Sequence, residues 1–169
     1  MNLSKCLEND VADIMKIVKS AQNQLKLLNV DQWQDGYPDF EIIQNDIKMG
    51  HAYKVMDKDN IVAYMVISFE CEIDYNHIDG KWTKNLDYAV IHRLCINEAY
   101  RHQHLSNTLF KLAFKYIKAH NYNYLRIDTH PDNFIMRHIL NTLHFNECGI
   151  IRLTRGGAIR IAYDIILNN

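Results

Sequence analysis

The chain has 169 residues, 48% of them apolar, which suits one domain with a real core. A formal net charge of −1 gives no electrostatic reason to expect nucleic acid or an anionic membrane as a partner. No apolar run approaches the roughly twenty residues of a membrane-spanning helix.

Met1-Asn-Leu-Ser-Lys5 lacks the hydrophobic segment of a secretion signal, so a cytoplasmic location is expected. Cys6, Cys71, Cys95 and Cys148 show no Cys-x-x-Cys spacing. Three of them fall in predicted strands, and buried thiols in a reducing compartment are the expectation.

Taken in order, residues 3–7 read as a short first strand. Asn9 or Asp10 can cap a helix whose apolar positions are Val11, Ile14, Met15, Ile17, Val18, Ala21 and Leu25, ending near Leu28. Residues 29–39 are a loop by composition, broken by Gly36 and Pro38. Asp39 caps a second helix with Phe40, Ile43 and Ile47 on one side and Gly50 just past its end. Residues 52–56 and 61–70 form an antiparallel pair around Asp57-Lys-Asp-Asn60. Residues 71–84 are a polar excursion containing Trp82.

Tyr88-Ala-Val-Ile-His-Arg-Leu-Cys-Ile96 is apolar on both faces and predicts a central strand. After Arg101-His-Gln-His-Leu-Ser106, Leu105, Leu109, Leu112, Ala113, Tyr116 and Ile117 recur at helical spacing. Residues 124–128 are a further strand. Asp132 can cap a helix burying Ile135, Met136, Ile139, Leu140 and Leu143. Residues 148–153 and 158–166 form a hairpin around Gly156-Gly157. The order β-α-α-β-β-β-α-β-α-β-β predicts an α/β (α+β) layer fold, with helices flanking one sheet and residues 1–169 forming a single domain.

Between Ala99 and Ile127 there is no Asp or Glu, whereas Arg101, Lys111, Lys115, Lys118 and Arg126 are all basic. A strand, a turn and a helix N-terminus in that setting form an anion cradle, because the first-turn N–H groups lack intrahelical partners. Here Arg101-His-Gln-His-Leu-Ser106 resembles the pyrophosphate loop of the GNAT acyl-CoA N-acyltransferases, Arg/Gln-x-x-Gly-x-Gly/Ala. His104 stands in place of the first glycine and Ser106 in place of Gly or Ala. Asp132-Asn133-Phe-Ile-Met136 and Leu143-His-Phe145 resemble the second cofactor-contacting helix of that family. The resemblance runs over residues 90–151 and implies a mixed, mostly antiparallel sheet of about seven strands.

What the resemblance implies for the site can be stated residue by residue. The strands at 88–96 and 124–128 would splay, and acetyl-CoA would bond the backbone of Leu94, Cys95 and Ile96. The amides of His102, Gln103, His104, Leu105, Ser106 and Asn107, with Arg101, would hold the pyrophosphate. Asn133 and Met136 would meet the pantetheine arm. His92 is the candidate base: His92-Arg-Leu-Cys-Ile96 resembles the His-x-Leu-x-Val segment of the arylalkylamine N-acetyltransferases, and alternation puts His92 on one face with Val90, Leu94 and Ile96. Many members carry an acid Tyr seven residues after the helix Asn, where this chain has Leu140.

The acceptor-site candidates are Trp33, Gln34 and Tyr37 in the first interhelix loop, Trp82 in the excursion, and His130 at a strand end. Glu70, Glu72 and Asp74 alternate as a strand face would. His102-Gln-His104 has metal-like spacing but supplies only two ligands, and no metal is expected. The sequence thus points to an N-acetyltransferase using acetyl-CoA and a primary amine of a small molecule or peptide, with a homodimer compatible with the resemblance. The alternatives are an acyl-CoA-binding or regulatory protein with little transferase activity and, ranking last, a nucleotide-binding module, since no Gly-x-x-x-x-Gly-Lys-Ser/Thr loop is present.

Overall fold

The computed structural model describes residues 1–168. Its elements are β1 (Asn2–Lys5), α1 (Val11–Leu27), α2 (Phe40–Lys48), β2 (Ala52–Asp57), β3 (Asn60–Ser68), β4 (Ile78–Gly80), β5 (Ala89–Ile96), α3 (Ser106–Ala119), β6 (Tyr124–Thr129), α4 (Phe134–Thr142), β7 (Asn146–Arg152) and β8 (Ile159–Ile166). The strands are ordered β1-β2-β3-β5-β6-β8-β7-β4 in an eight-stranded sheet. Pairs β1–β2, β2–β3, β6–β8, β7–β8 and β4–β7 are antiparallel, and β5–β6 is parallel. A parallel pair needs a crossover, and α3 supplies it. The fold class matches the one read from the pattern, with eight strands in place of seven. The added strand is β4, inside the stretch read as an excursion.

The chain resolves into two compact units. The first comprises Met1–Ile67 and His92–Ala113. In it the apolar stripe of α1, with Ile14, Ile17 and Val18, packs on Ile43, Tyr64, Val66 and Cys95. Ile14, Val18 and Ile43 are fully buried, each contributing about 2 kcal/mol of transfer free energy. Asp39 caps α2 as expected, its Oδ1 accepting from the Ile42 amide at 2.9 Å. Asp10 occupies the cap position of α1 without bonding its first turn. Its carboxylate accepts instead from the Leu7 amide at 2.7 Å and from Lys54 Nζ at 2.6 Å.

The second unit comprises Ser68–Ile91 and the chain from Phe114 onward. Its core gathers Tyr75, Val90, Cys148, Ile151 and Ala162, with Trp82 and Tyr88 packed against them. The β7–β8 hairpin turns at Gly156 and Gly157, both at positive φ. Helix α4 is capped by Asn133, whose Oδ1 accepts from the Met136 amide at 3.1 Å. The cap therefore lies one residue beyond the predicted Asp132. Glu70, Glu72 and Asp74 do not share a strand face: residues 73–76 form a 3-10 turn, and Asp74 accepts from the Thr154 amide at 2.8 Å. All four cysteines are free thiols, with Cys6, Cys95 and Cys148 buried and Cys71 exposed. Among the described residues no helix is long and apolar enough to cross a membrane.

Candidate functional site

In the first unit, β5 leads directly into the basic loop. Asn97 makes the transition rigid: its amide donates to Val62 O at 2.8 Å, its Nδ2 to Ile61 O at 2.8 Å, and its Oδ1 accepts from the Ala99 amide at 3.1 Å. Arg101 turns its guanidinium away from the loop that follows. Its Nη2 donates to Ser20 Oγ at 2.9 Å, and that hydroxyl donates to Glu98 Oε2 at 2.7 Å. The side chain of Arg101 thus anchors the loop to α1, while Gln103 Nε2 returns to Ala99 O at 3.2 Å.

His102 and His104 stand at φ +61° and +54°, with Arg101 before them at −66°. Arg101 is extended, at ψ 160°, so an extended residue is followed by one at positive φ, the dihedral pattern of a type II turn, and residues 101 and 102 form a turn. Outside the helix ladder of α3, the amides of residues 102–107 make no close backbone hydrogen bond among the described residues. They run into the N-terminus of α3, whose dipole adds to the same field. The residue in place of the family's glycine therefore keeps a glycine-like conformation, and histidine is among the side chains that tolerate it. Unbonded amides with no carboxylate between Ala99 and Ile127 fit a diphosphate group.

Upstream of the loop, two rungs, Ala89↔Leu125 and Val90↔Arg126, join β5 to β6, and Leu94, Cys95 and Ile96 lie beyond them. Arg93 stands at φ +53°. This kink interrupts the alternation that placed His92 on one face with Leu94 and Ile96. His92 is half-buried, one residue before the kink. Cys95 is buried, and burial pushes its thiol up to about 12, as it does for Cys6 and Cys148. Burial thus disfavours the thiolate, the nucleophilic form, at all three.

The kink is held by charges that sequence reading missed. Arg93 Nε and Nη2 donate to Asp46 Oδ2 and Oδ1 at 2.8 and 2.7 Å, a two-point clamp. Tyr64 donates its hydroxyl to the same Asp46 Oδ2 at 2.8 Å. Arg93 Nη1 donates to the Tyr37 hydroxyl, whose ring centroid is 5.8 Å from the guanidinium carbon. The signal was present in the sequence: Asp46 falls on the buried stripe of α2 with Ile43 and Ile47, and Arg93 interrupts an apolar strand. Buried charges of this kind require partners.

The first interhelix loop is tied to α1 as well. Gln22 Nε2 donates to Tyr37 O at 2.9 Å, and Gln34 Nε2 to Gln22 O at 3.1 Å. Trp33 packs against the α1 core. Trp33, Gln34 and Tyr37 are thus brought together in one ordered loop.

In the second unit, Trp82 is part of a packed cage. The Arg126 guanidinium carbon lies 4.0, 4.3 and 5.3 Å from the ring centroids of Tyr88, Trp82 and Tyr124. Its Nη2 donates to Lys84 O at 3.1 Å, and its buried Nε has no hydrogen-bond partner among the described residues. The Trp82 indole donates to Tyr75 O at 3.0 Å. Asp164 is fully buried and accepts from Tyr124 Oη at 2.5 Å and from the Thr83 amide and hydroxyl at 2.7 and 2.8 Å. Burial acts to raise its pKa, but the hydrogen bonds from Tyr124, Thr83, Cys148 and Asn146 prevail and hold it below the ordinary value.

Asp128 accepts from the Tyr75 hydroxyl at 2.8 Å. Burial, with Asp128 beside it, drives the pKa of Tyr75 well above the usual phenol value. His130 Nδ1 accepts from the Asp132 amide at 3.2 Å. The side-chain oxygen of Asn133 is engaged in capping α4, Met136 is half-buried, and Leu140 is fully buried. The position of the family's acid Tyr is therefore an apolar core position in this chain.

A model of the acetyltransferase (GNAT) family matches residues 18–145. No curated protein sequence matches the chain significantly. Among solved structures, a GNAT-family acetyltransferase from Streptococcus agalactiae is 29% identical, with a TM-score of 0.90 over 99% of this chain and 96% of that one. A GNAT-family acetyltransferase from Listeria monocytogenes is 17% identical, with a TM-score of 0.74 over 98% of this chain and 94% of that one. The ribosomal-protein-S18-alanine N-acetyltransferase from Escherichia coli is 14% identical, with a TM-score of 0.65 over 99% and 94%. The last two likenesses concern the fold alone. With three-quarters of its length matched by the family model, the chain belongs to the acetyltransferase (GNAT) family of acyltransferases.

Proposed function

We propose that residues 1–169 act as one N-acetyltransferase domain, moving an acetyl group from acetyl-CoA to a primary amine of a small molecule or peptide. The observation that carries this reading is the run of unbonded amides at 102–107 at the head of α3, in a chain of this family. These amides bind the diphosphate, and the backbone of Leu94, Cys95 and Ile96 aligns the thioester arm. By the resemblance alone, Asn133 and Met136 at the head of α4 are assigned to the pantetheine arm. Acetyl-CoA supplies the activated acyl carbon. The amine nitrogen bonds to that carbon and sheds a proton, the carbon–sulfur bond breaks, and the sulfur leaves with its electron pair and takes up that proton as the free thiol.

The attacking amine must be neutral, and His92 accepts the ammonium proton, directly or through water. The raised thiols of Cys6, Cys95 and Cys148 support direct attack without an acyl-enzyme. Trp33, Gln34 and Tyr37, with Trp82 and His130, are the groups assigned to the acceptor. The alanine acetyltransferase among the structural relatives supports testing peptide amines alongside small ones.

Thiol release from acetyl-CoA should be measured across a panel containing a polyamine, an arylalkylamine and a peptide with a free N-terminal alanine. His92→Ala is expected to lower kcat about a hundredfold while calorimetric acetyl-CoA affinity changes less than about threefold. Equal loss of turnover and affinity would assign His92 to structure. Acetyl-CoA binding with no turnover on any amine would favour a binding or regulatory protein.

A further inference from the structure

The Asp46–Arg93–Tyr37 cluster lies wholly within the first unit, and its chemistry exceeds what stability alone asks of it. A charged pair replaced by apolar side chains of similar volume is often neutral or stabilising. Yet Arg93 and Asp46 expose only 15% and 8% of their side chains. Tyr64 fixes one carboxylate oxygen at 2.8 Å, so the acid has little freedom to reorient. Asp46 holds the guanidinium from α2, Tyr64 of β3 steadies that carboxylate, and the third arm of the fork reaches the Tyr37 hydroxyl in the first interhelix loop.

The backbone of Arg93 is as informative as its side chain. A φ of +53° in a strand is unfavourable for any residue with a Cβ and persists only where surrounding contacts determine it. The clamp to Asp46 provides that determination. The kink sits between His92, the candidate base, and Leu94, whose backbone is assigned to the thioester arm. One side chain therefore bonds the loop that carries Trp33 and Gln34 and also sets the course of the strand at the reacting centre.

We propose that Arg93 is a positioning residue that sets the acceptor loop in register with the thioester edge of β5 through its bonds to Asp46 and Tyr37. The proposal rests on the transferase reading above. It also assigns the Tyr37 hydroxyl to Arg93, leaving the ring and backbone of Tyr37 to shape the acceptor side. An amine that displaces the loop must then also disturb the kink, which couples acceptor fit to thioester alignment.

The test uses the full chain, acetyl-CoA and whichever amine of the panel is turned over fastest, with Tyr37→Phe, Arg93→Lys and the double variant, each checked for cooperative unfolding. Tyr37→Phe removes one acceptor of a charged donor and is expected to raise the amine KM about tenfold. The acetyl-CoA Kd is expected to stay within about twofold, a split that a general loss of structure would not produce. Arg93→Lys keeps the charge but not the fork, and is expected to lower kcat as well. In the Arg93→Lys background, adding Tyr37→Phe is expected to change the amine KM less than twofold, because the shared contact is already lost. An unchanged amine KM in Tyr37→Phe, or losses that multiply in the double variant, would overturn the positioning role and leave the transferase reading standing. A wild-type chain that takes up no acetyl-CoA would overturn both.

Discussion

At the head of α3, two histidines adopt φ values of +61° and +54°, where a Cβ costs on the order of 1 kcal/mol or more. The diphosphate contact proposed for this loop depends on that conformation rather than on the imidazoles. His104→Gly should therefore keep acetyl-CoA affinity equal to or tighter than wild type, whereas His104→Val should weaken it about tenfold, since a β-branched residue resists positive φ. Calorimetric titration with acetyl-CoA checks both, and equal affinities in the two variants would remove the loop conformation from the binding account. The motif was legible in sequence, because residue type and spacing lie within six consecutive positions. The anchoring role of the Arg101 side chain was not, since its partner Ser20 lies 81 residues away.

Helix α2 shows how much an element owes to a single charged side chain. Its start was readable from Asp39, and its apolar face from Ile43 and Ile47. Its deepest polar group, Asp46, holds both Arg93 and Tyr64. Asp46→Ala strands a buried guanidinium and should cost about 3–5 kcal/mol, lowering Tm by roughly 10 °C for a chain of this size. Asp39→Ala removes only the cap of the same helix and should cost about 1 kcal/mol. Thermal unfolding of the two variants side by side reads the ratio, and comparable losses would show that the buried pair is no more than a surface-like contact.

Strand β4 escaped sequence reading for a different reason. It has three residues, and its place is set by Gly80 facing Gly149 on β7. A Cβ on Gly80 would lie 2.2 Å from Cys148 O, and one on Gly149 2.2 Å from Asp79 O. Two glycines far apart in sequence thus permit one close backbone approach, which no local pattern announces.

Across the molecule, the buried Asp164 contributes to how stability responds to acid. The pKa of Asp164 is depressed in the folded state, so its ionisation stabilises the fold above the unfolded carboxylate pKa, near 4. That contribution is lost as pH falls through the lower native value. Tm should hold between about pH 7 and pH 5 and fall below about pH 4, and Asp164→Asn should be less stable at neutral pH with a shallower acid loss. A variant with the same acid limb as wild type would assign acid sensitivity to other carboxylates.

The sequence by itself determined the element order apart from β4, the apolar stripes and the α2 cap, because each depends on residues within a few positions of one another. Only the tertiary structure decided the partners of Arg93, Asp46, Arg126 and Asp164, the kink at Arg93 and the pairing of β4. A buried charge announces that it needs a counterpart. Which counterpart it meets depends on how distant segments are brought together, and that is settled by packing rather than by period.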